Sequence, residues 1–127
     1  MDDFYYRKLN VYHKARQLVV DVYDLIKSFP KEERHSLNNQ LQRSVISIPS
    51  NIAEGMGRFS VKERIHFIEI AFGSLTETMC QLEIAESLHY MNHEQLLIFE
   101  IEIKEIARML IGLRTNLQEK LVNTQQQ

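Results

Sequence analysis

Three Glu-x-x-His pairs run through this chain, at Glu32/His35, Glu63/His66 and Glu86/His89. On a helix that spacing sets a carboxylate and an imidazole on one face. Two such pairs at one level, with two further glutamates, hold the metals of di-iron bundles. Here the arrangement fails. Glu63/His66 and Glu86/His89 fall on one helical stretch, 23 residues and roughly 34 Å apart. Glu32/His35 could approach Glu86/His89. However, Glu32 follows Pro30 at a turn, where its side chain is solvated, and the packed positions opposite are the apolar Ala85 and Leu88. No metal and no other cofactor is expected. Gly55-x-Gly57 lacks the third glycine of a dinucleotide loop and follows no strand, so it reads as a helix-terminating turn. Cys80 sits between Met79 and Leu82 and reads as packing rather than as a nucleophile. With no hydrolase elbow or phosphate loop, the chain is not expected to be an enzyme or to take a small-molecule substrate.

A second set of residues is spaced to make contacts rather than chemistry. Gln40, Ser44, Ser47, Asn51, Glu54 and Arg58 recur at steps of 4,3,4,3,4. They form a polar stripe beside the apolar stripe of the same helix. Ser44 and Ser47 are small enough to admit another backbone, and Asn51 and Glu54 can hydrogen-bond across such a contact. A solvated face would carry Lys and Glu instead. Gly73-Ser74 lies on the next segment. A mid-helix glycine costs about 1 kcal/mol against alanine, which suggests that it is kept for close packing. The expected seam between helices or subunits is therefore Gln40, Ser44, Ser47, Asn51, Glu54, Gly73 and Ser74. Pro49 removes the bond to the Val45 carbonyl and should bend this helix.

The elements that must position these residues follow from periodicity. The 127 residues suffice for one domain with one core. Four glycines and two prolines are too few for a strand-rich fold. Breaks at Phe29-Pro30, Gly55 to Gly57 and Met91-Asn92 leave four segments, each apolar with a period near 3.6. Their stripes are Tyr12, Ala15, Val19, Val22, Ile26, Phe29; then Leu37, Leu41, Val45, Ile48, Ile52, Met56; then Ile65, Ile68, Phe72, Leu75, Met79, Leu82; then Leu96, Phe99, Ile103, Ile106, Leu110, Leu113, Leu117. Ser60-Val61-Lys62-Glu63 and Asn92-His93-Glu94-Gln95 are capping boxes that start the last two helices. The spacing predicts helices over residues 10–28, 33–56, 60–91 and 93–121, with a frayed tail at 122–127. Short turns between them give an all-α, antiparallel up-down-up-down four-helix bundle. The third helix keeps a second, largely apolar face at Phe67, Ala71, Ser74, Ala85 and Leu88, and the fourth at Leu97, Ile98, Ile101 and Ile111. Self-association is the simplest way to cover it.

Composition excludes several classes. The hydrophobic share is 44% and the charged share 25%, ordinary for a soluble globular chain. One cysteine allows no intrachain disulfide and suits a reducing compartment. No apolar run spans a bilayer, and MDDFYYRKL does not read as a secretory signal. The expectation is a cytoplasmic protein with no membrane partner.

The net charge of −2 hides an asymmetry, since no Lys or Arg falls between Arg64 and Lys104. In an antiparallel bundle one end gathers Arg7, Lys8, Lys14, Arg16, Arg58, Lys62, Arg64, Arg114 and Lys120 against Asp2, Asp3, Glu54, Glu63 and Glu119. The other end is acidic. The candidate surface for an anionic partner is thus Arg7, Lys8, Lys14, Arg58, Lys62, Arg64, Arg114 and Lys120.

QLQRSVISIPSNIAEGMGR followed by FIEIAFGSLTETMCQLEIA resembles the signature of the four-helix proteins encoded in intervening sequences of bacterial 23S ribosomal RNA genes, also labelled S23 ribosomal proteins. The retroelement accessory variability protein belongs to the same group. The likeness spans roughly Phe4 to Leu117. It implies an antiparallel four-helix protomer, a ring-shaped homopentamer and no catalytic activity. The retroelement relative implies a partner of reverse-transcriptase type, with RNA or DNA held through a basic surface. This chain departs from that relative in being acidic overall. A scaffold or protein-binding role is therefore the leading expectation, and binding of nucleic acid or a nucleoprotein through the basic end is the alternative.

Overall fold

The computed structural model describes residues 3–126, so Met1, Asp2 and Gln127 lie outside the described residues. A 3-10 turn at Tyr5–Lys8 leads into α1 (Asn10–Ile26). A second 3-10 turn at Lys31–Glu33 precedes α2 (Leu37–Met56), and α3 (Val61–Ser87) and α4 (His93–Gln126) follow. No strand occurs among the described residues.

Local chemistry sets where each helix begins and ends. α2 starts at Leu37 rather than 33, because the chain after Pro30 first makes the 3-10 turn. The Glu33 carboxylate then accepts the Leu37 N–H at 3.2 Å and the Tyr90 hydroxyl at 3.0 Å. At the start of α3, Ser60 Oγ accepts the Glu63 N–H at 3.0 Å. The box before α4 is reciprocal: Asn92 Oδ1 accepts the Gln95 N–H at 2.8 Å, and Gln95 Oε1 accepts the Asn92 N–H at 2.9 Å. α3 stops at Ser87, short of the expected 91. His89 takes a left-handed backbone with φ 63°. The Tyr90 N–H then donates to the Ala85 carbonyl and the His89 N–H to the Glu86 carbonyl, both at 2.9 Å. This is a Schellman closure, usually built on glycine. The segment 122–127, expected to fray, is helical as far as Gln126.

The contacts fix how the helices run. Ser44 meets Thr78 and Gln81, Ser47 meets Ser74, and Gly55 lies against Phe67. Numbers rise along α2 as they fall along α3, so the two run in opposite directions. Glu69 meets Arg114 and Glu86 meets His93, which sets α4 against α3 in the same way. Lys14 meets Glu105, and Leu25 shares a crevice with Gln95, which does so for α1 and α4. α2 and α3 share the largest helix contact, and α1 and α4 the smallest.

All six predicted α2 positions, Leu37 to Met56, are buried. On α1 the buried stripe is Val11, Ala15, Leu18, Val22 and Ile26, continued by Phe29, while Tyr12 and Val19 only edge the core. On α3 the buried face is Ile68, Ala71, Leu75, Thr78, Gln81, Leu82 and Ala85. Ala71 and Ala85, expected on an outward face, are core residues that let α2 approach. Leu88, at the cap, is exposed as expected, and the other outward apolar residues of α3 are Ile70 and Ile84. α4 exposes Leu97, Ile98, Ile101 and Ile111, as expected. No helix among the described residues is long and apolar enough to cross a membrane.

Candidate functional site

The polar stripe of α2 meets a matching stripe on α3. Ser44 Oγ donates to Gln81 Oε1 at 2.8 Å and accepts from Thr78 Oγ1 at 2.9 Å. Gln81 Nε2 donates on to Glu77 Oε1 at 3.1 Å. The hydroxyls of Ser47 and Ser74 are 2.8 Å apart, and Asn51 Nδ2 donates to the carbonyl and hydroxyl of Ser47 at 2.7 and 2.8 Å. Ser44, Thr78 and Gln81 are buried, and their polar atoms satisfy one another, which is the condition for tolerating them there. The structure therefore brings Ser44, Ser47, Asn51 and Ser74 together. Gln40, Glu54 and Gly73 are exposed instead. Sequence reasoning missed Thr78 and Gln81, although Ser74, Thr78 and Gln81 repeat at 4 and 3, the same steps as the α2 stripe.

The glycine of close approach is Gly55, not Gly73. A Cβ on Gly55 would lie 2.7 Å from Phe67 Cβ and 3.4 Å from the Arg64 carbonyl, whereas one on Gly73 would meet nothing within 4 Å. Gly55 lies inside α2, and the helix closes at Gly57 with φ −85°, so no left-handed glycine ends it.

The predicted basic surface is divided. Lys14 pairs with Glu105 at 3.0 Å, and Arg114 pairs with Glu69 at 2.8 Å, two turns inside the first residues of α3. Arg58 pairs with Glu54 at 2.8 Å and stacks over Phe67 at 4.6 Å. Arg64 Nε donates to the Arg58 carbonyl at 2.7 Å. Lys62 is exposed beside them, and Lys120 is exposed on α4. Arg7 and Lys8 lie on the first 3-10 turn, where Arg7 covers the rings of Phe4 and Tyr6 at 4.8 and 5.9 Å. That turn closes over the α2–α3 link. Phe4, Tyr5 and Tyr6 line a crevice of about 440 Å³ with Glu54, Arg58, Phe59 and Arg64. The structure thus joins Arg58 and Arg64 in one cluster beside the Arg7–Lys8 turn, with Lys14 and Arg114 neutralised away from it. The aromatic members, Phe4, Tyr5, Tyr6 and Phe59, were not predicted.

Titratable contacts elsewhere are few. On the α1–α4 contact, burial and then the neighbouring Asp21 carboxylate push the Glu102 carboxyl above the usual range. Asp21 also hydrogen-bonds to it, Lys14 opposes the shift and Glu105 adds to it. Gln17 Nε2 holds Asp21 Oδ1 at 3.0 Å. The Tyr90 hydroxyl is raised mainly by its hydrogen bond to Glu33. Because α3 ends before His89, Glu86/His89 is not a helical pair, and Glu86 Oε2 lies 2.7 Å from His93 Nδ1 instead. Among the described residues no group of three or more His, Cys, Asp and Glu is placed to hold a metal.

Comparison with known proteins agrees with the fold. A solved structure from Bacteroides thetaiotaomicron VPI-5482, a protein of unknown function from the S23 ribosomal protein family, is 28% identical. The match covers 82% of this chain and 97% of that one, with a TM-score of 0.75. No curated protein matches. The family model of the 23S rRNA-intervening sequence protein matches residues 7–112 of the chain. That range takes in the polar seam, Gly55 and all but the last turns of α4, so the chain belongs to the 23S rRNA-intervening sequence protein family.

Proposed function

We propose that the protein is a non-enzymatic, self-associating scaffold that works in the cytoplasm. The observation that supports this reading is the outer face of α4, where Ile98 is 60% and Ile101 67% exposed, with Leu97 beside them and Ile111 exposed further along the helix. Leu97, Ile98 and Ile101 give one end of this helix an exposed aliphatic surface, and Ile111 extends it along the helix, where a second copy can cover it. The number of copies rests on the family resemblance, which implies five in a ring. Light scattering at micromolar concentration should therefore give about five times the 15.0 kDa chain mass. Ile98→Lys with Ile101→Lys should return the monomer mass with an unchanged helical circular-dichroism spectrum. A monomer mass for the unaltered protein across dilution overturns the reading.

A second reading, binding of a nucleic acid or nucleoprotein of reverse-transcriptase type, is favoured by one observation. Phe59 stands wholly in solvent between Arg58 and Lys62, next to Tyr5 and Arg64. The ion pairs of Lys14, Arg58 and Arg114 weigh against a broad phosphate-binding surface. This reading therefore contracts to the α2–α3 turn and the Tyr5–Lys8 turn.

A further inference from the structure

Phe59 is 100% exposed, on a four-residue link between two long helices. A lone exposed apolar residue is ordinary, but its surroundings here are not. Tyr5 and Phe4 are each about half exposed, and with Phe59 they edge the crevice at this end of the molecule. Residues 3–8 and 54–64 carry five cations, Arg7, Lys8, Arg58, Lys62 and Arg64, against Asp3, Glu54 and Glu63. Glu54 is already held by Arg58. Both arginines lining the crevice are fixed. Arg58 is held by Glu54 and Phe67, and Arg64 by a single Nε bond that leaves its other guanidinium donors for an anion.

We infer that this crevice binds single-stranded nucleic acid, with an unpaired base stacked on Phe59 and its phosphates held by Lys62 and Arg64. The inference deepens the second reading above and rests on it. Rigid aromatic faces alternating with cations are what such a ligand requires: every base has a π-face, and the backbone supplies the charge. A duplex hides its base faces, so a single protruding ring cannot stack on it. A protein partner with acidic side chains would use the cations and leave Phe59 without a planar mate.

The chain has no tryptophan, so Phe59→Trp places a single tryptophan at the tip, excited selectively over the tyrosines at the red edge of absorption. Oligoadenylate should quench its emission, and the quenching should fade as salt is raised. The same strand annealed to its complement, and heparin, which has charge but no bases, should leave the emission unchanged. Phe59→Ala should weaken oligoadenylate binding, read by anisotropy, roughly tenfold to hundredfold, and the melting curve should not move. If oligoadenylate binds Phe59→Ala as tightly as the unaltered protein, or binds Phe59→Trp without quenching, stacking is wrong while the anionic-partner reading survives. If neither oligoadenylate nor heparin binds in low salt, both fall. Emission that shifts with protein dilution alone places Phe59 in a subunit contact and overturns the inference.

Discussion

Gly55 and Gly73 sit in adjacent helices and respond to opposite demands. At Gly55 the two backbones come so close that an added methyl would overlap Phe67 Cβ, an atom with no rotamer freedom to move away. Gly55→Ala gains helix propensity of up to about 1 kcal/mol but overpacks the contact. A net destabilisation of about 1–3 kcal/mol is expected. Gly73 faces open space in the protomer, so Gly73→Ala should stabilise by up to about 1 kcal/mol. Denaturant midpoints for the two variants should move in opposite directions. A Gly73→Ala protein that loses assembly would place Gly73 between subunits.

At the scale of elements, the turn between α3 and α4 carries strain that composition hides. His89 is the residue whose left-handed backbone lets the Tyr90 N–H reach back to Ala85. A Cβ in that conformation costs roughly 1–2 kcal/mol, while glycine adds freedom to the unfolded chain. His89→Gly should raise stability by about 1 kcal/mol, seen as a higher midpoint with an unchanged denaturant slope. The break at Met91-Asn92 and the capping box mark the start of α4, but no sequence signal marks where α3 stops, because glycine, the usual sign, is absent. Elsewhere legibility depended on contrast. α2 alternates apolar residues with Ser and Asn, and its whole stripe could be read. α1 contains the run Leu18-Val19-Val20, in which two neighbouring positions suit the period equally. Tyr12 looked like core, yet its ring sits at the edge, 4.7 Å from the Tyr6 ring. On α3 the buried face is half made of Ala71, Thr78, Gln81 and Ala85, types whose burial depends on what α2 presents to them. The basic end was legible as charge but not as a surface. The partners that neutralise Lys14 and Arg114 lie on other helices, and Phe59 gains meaning only from where the turn places it.

For the whole molecule, pH acts through the weakest helix contact. Asp21 and Glu102 face each other between α1 and α4, with Gln17 and Lys14 from α1 and Glu105 from α4 around them. Because the folded protein holds the Glu102 proton above the ordinary carboxylate range, it binds more protons than the unfolded chain across that window. Stability from this group is fully present below the unfolded pKa and falls as pH rises through the folded one. Glu102→Gln should flatten that part of the stability–pH curve and leave the variant more stable than the parent at neutral pH. Equal slopes in urea titrations across that range would remove Glu102 from the account.

The hydroxyl chain between α2 and α3 also acts as a register lock. Evenly spaced Leu, Ile and Val rungs would accept a neighbour displaced by one turn almost as well as in place. The polar groups would not. A slip of one turn one way sets Ser44 against Leu82 and Ala85. The opposite slip sets Ser47 against Ile70. The first slip leaves the buried Ser44 hydroxyl without a cross-helix partner, at about 1–3 kcal/mol, and the second breaks the Ser47–Ser74 hydroxyl pair. The seam therefore singles out one offset of α3 along α2 from several that greasy packing alone would leave degenerate, and so fixes the height at which the α2–α3 tip stands above the bundle.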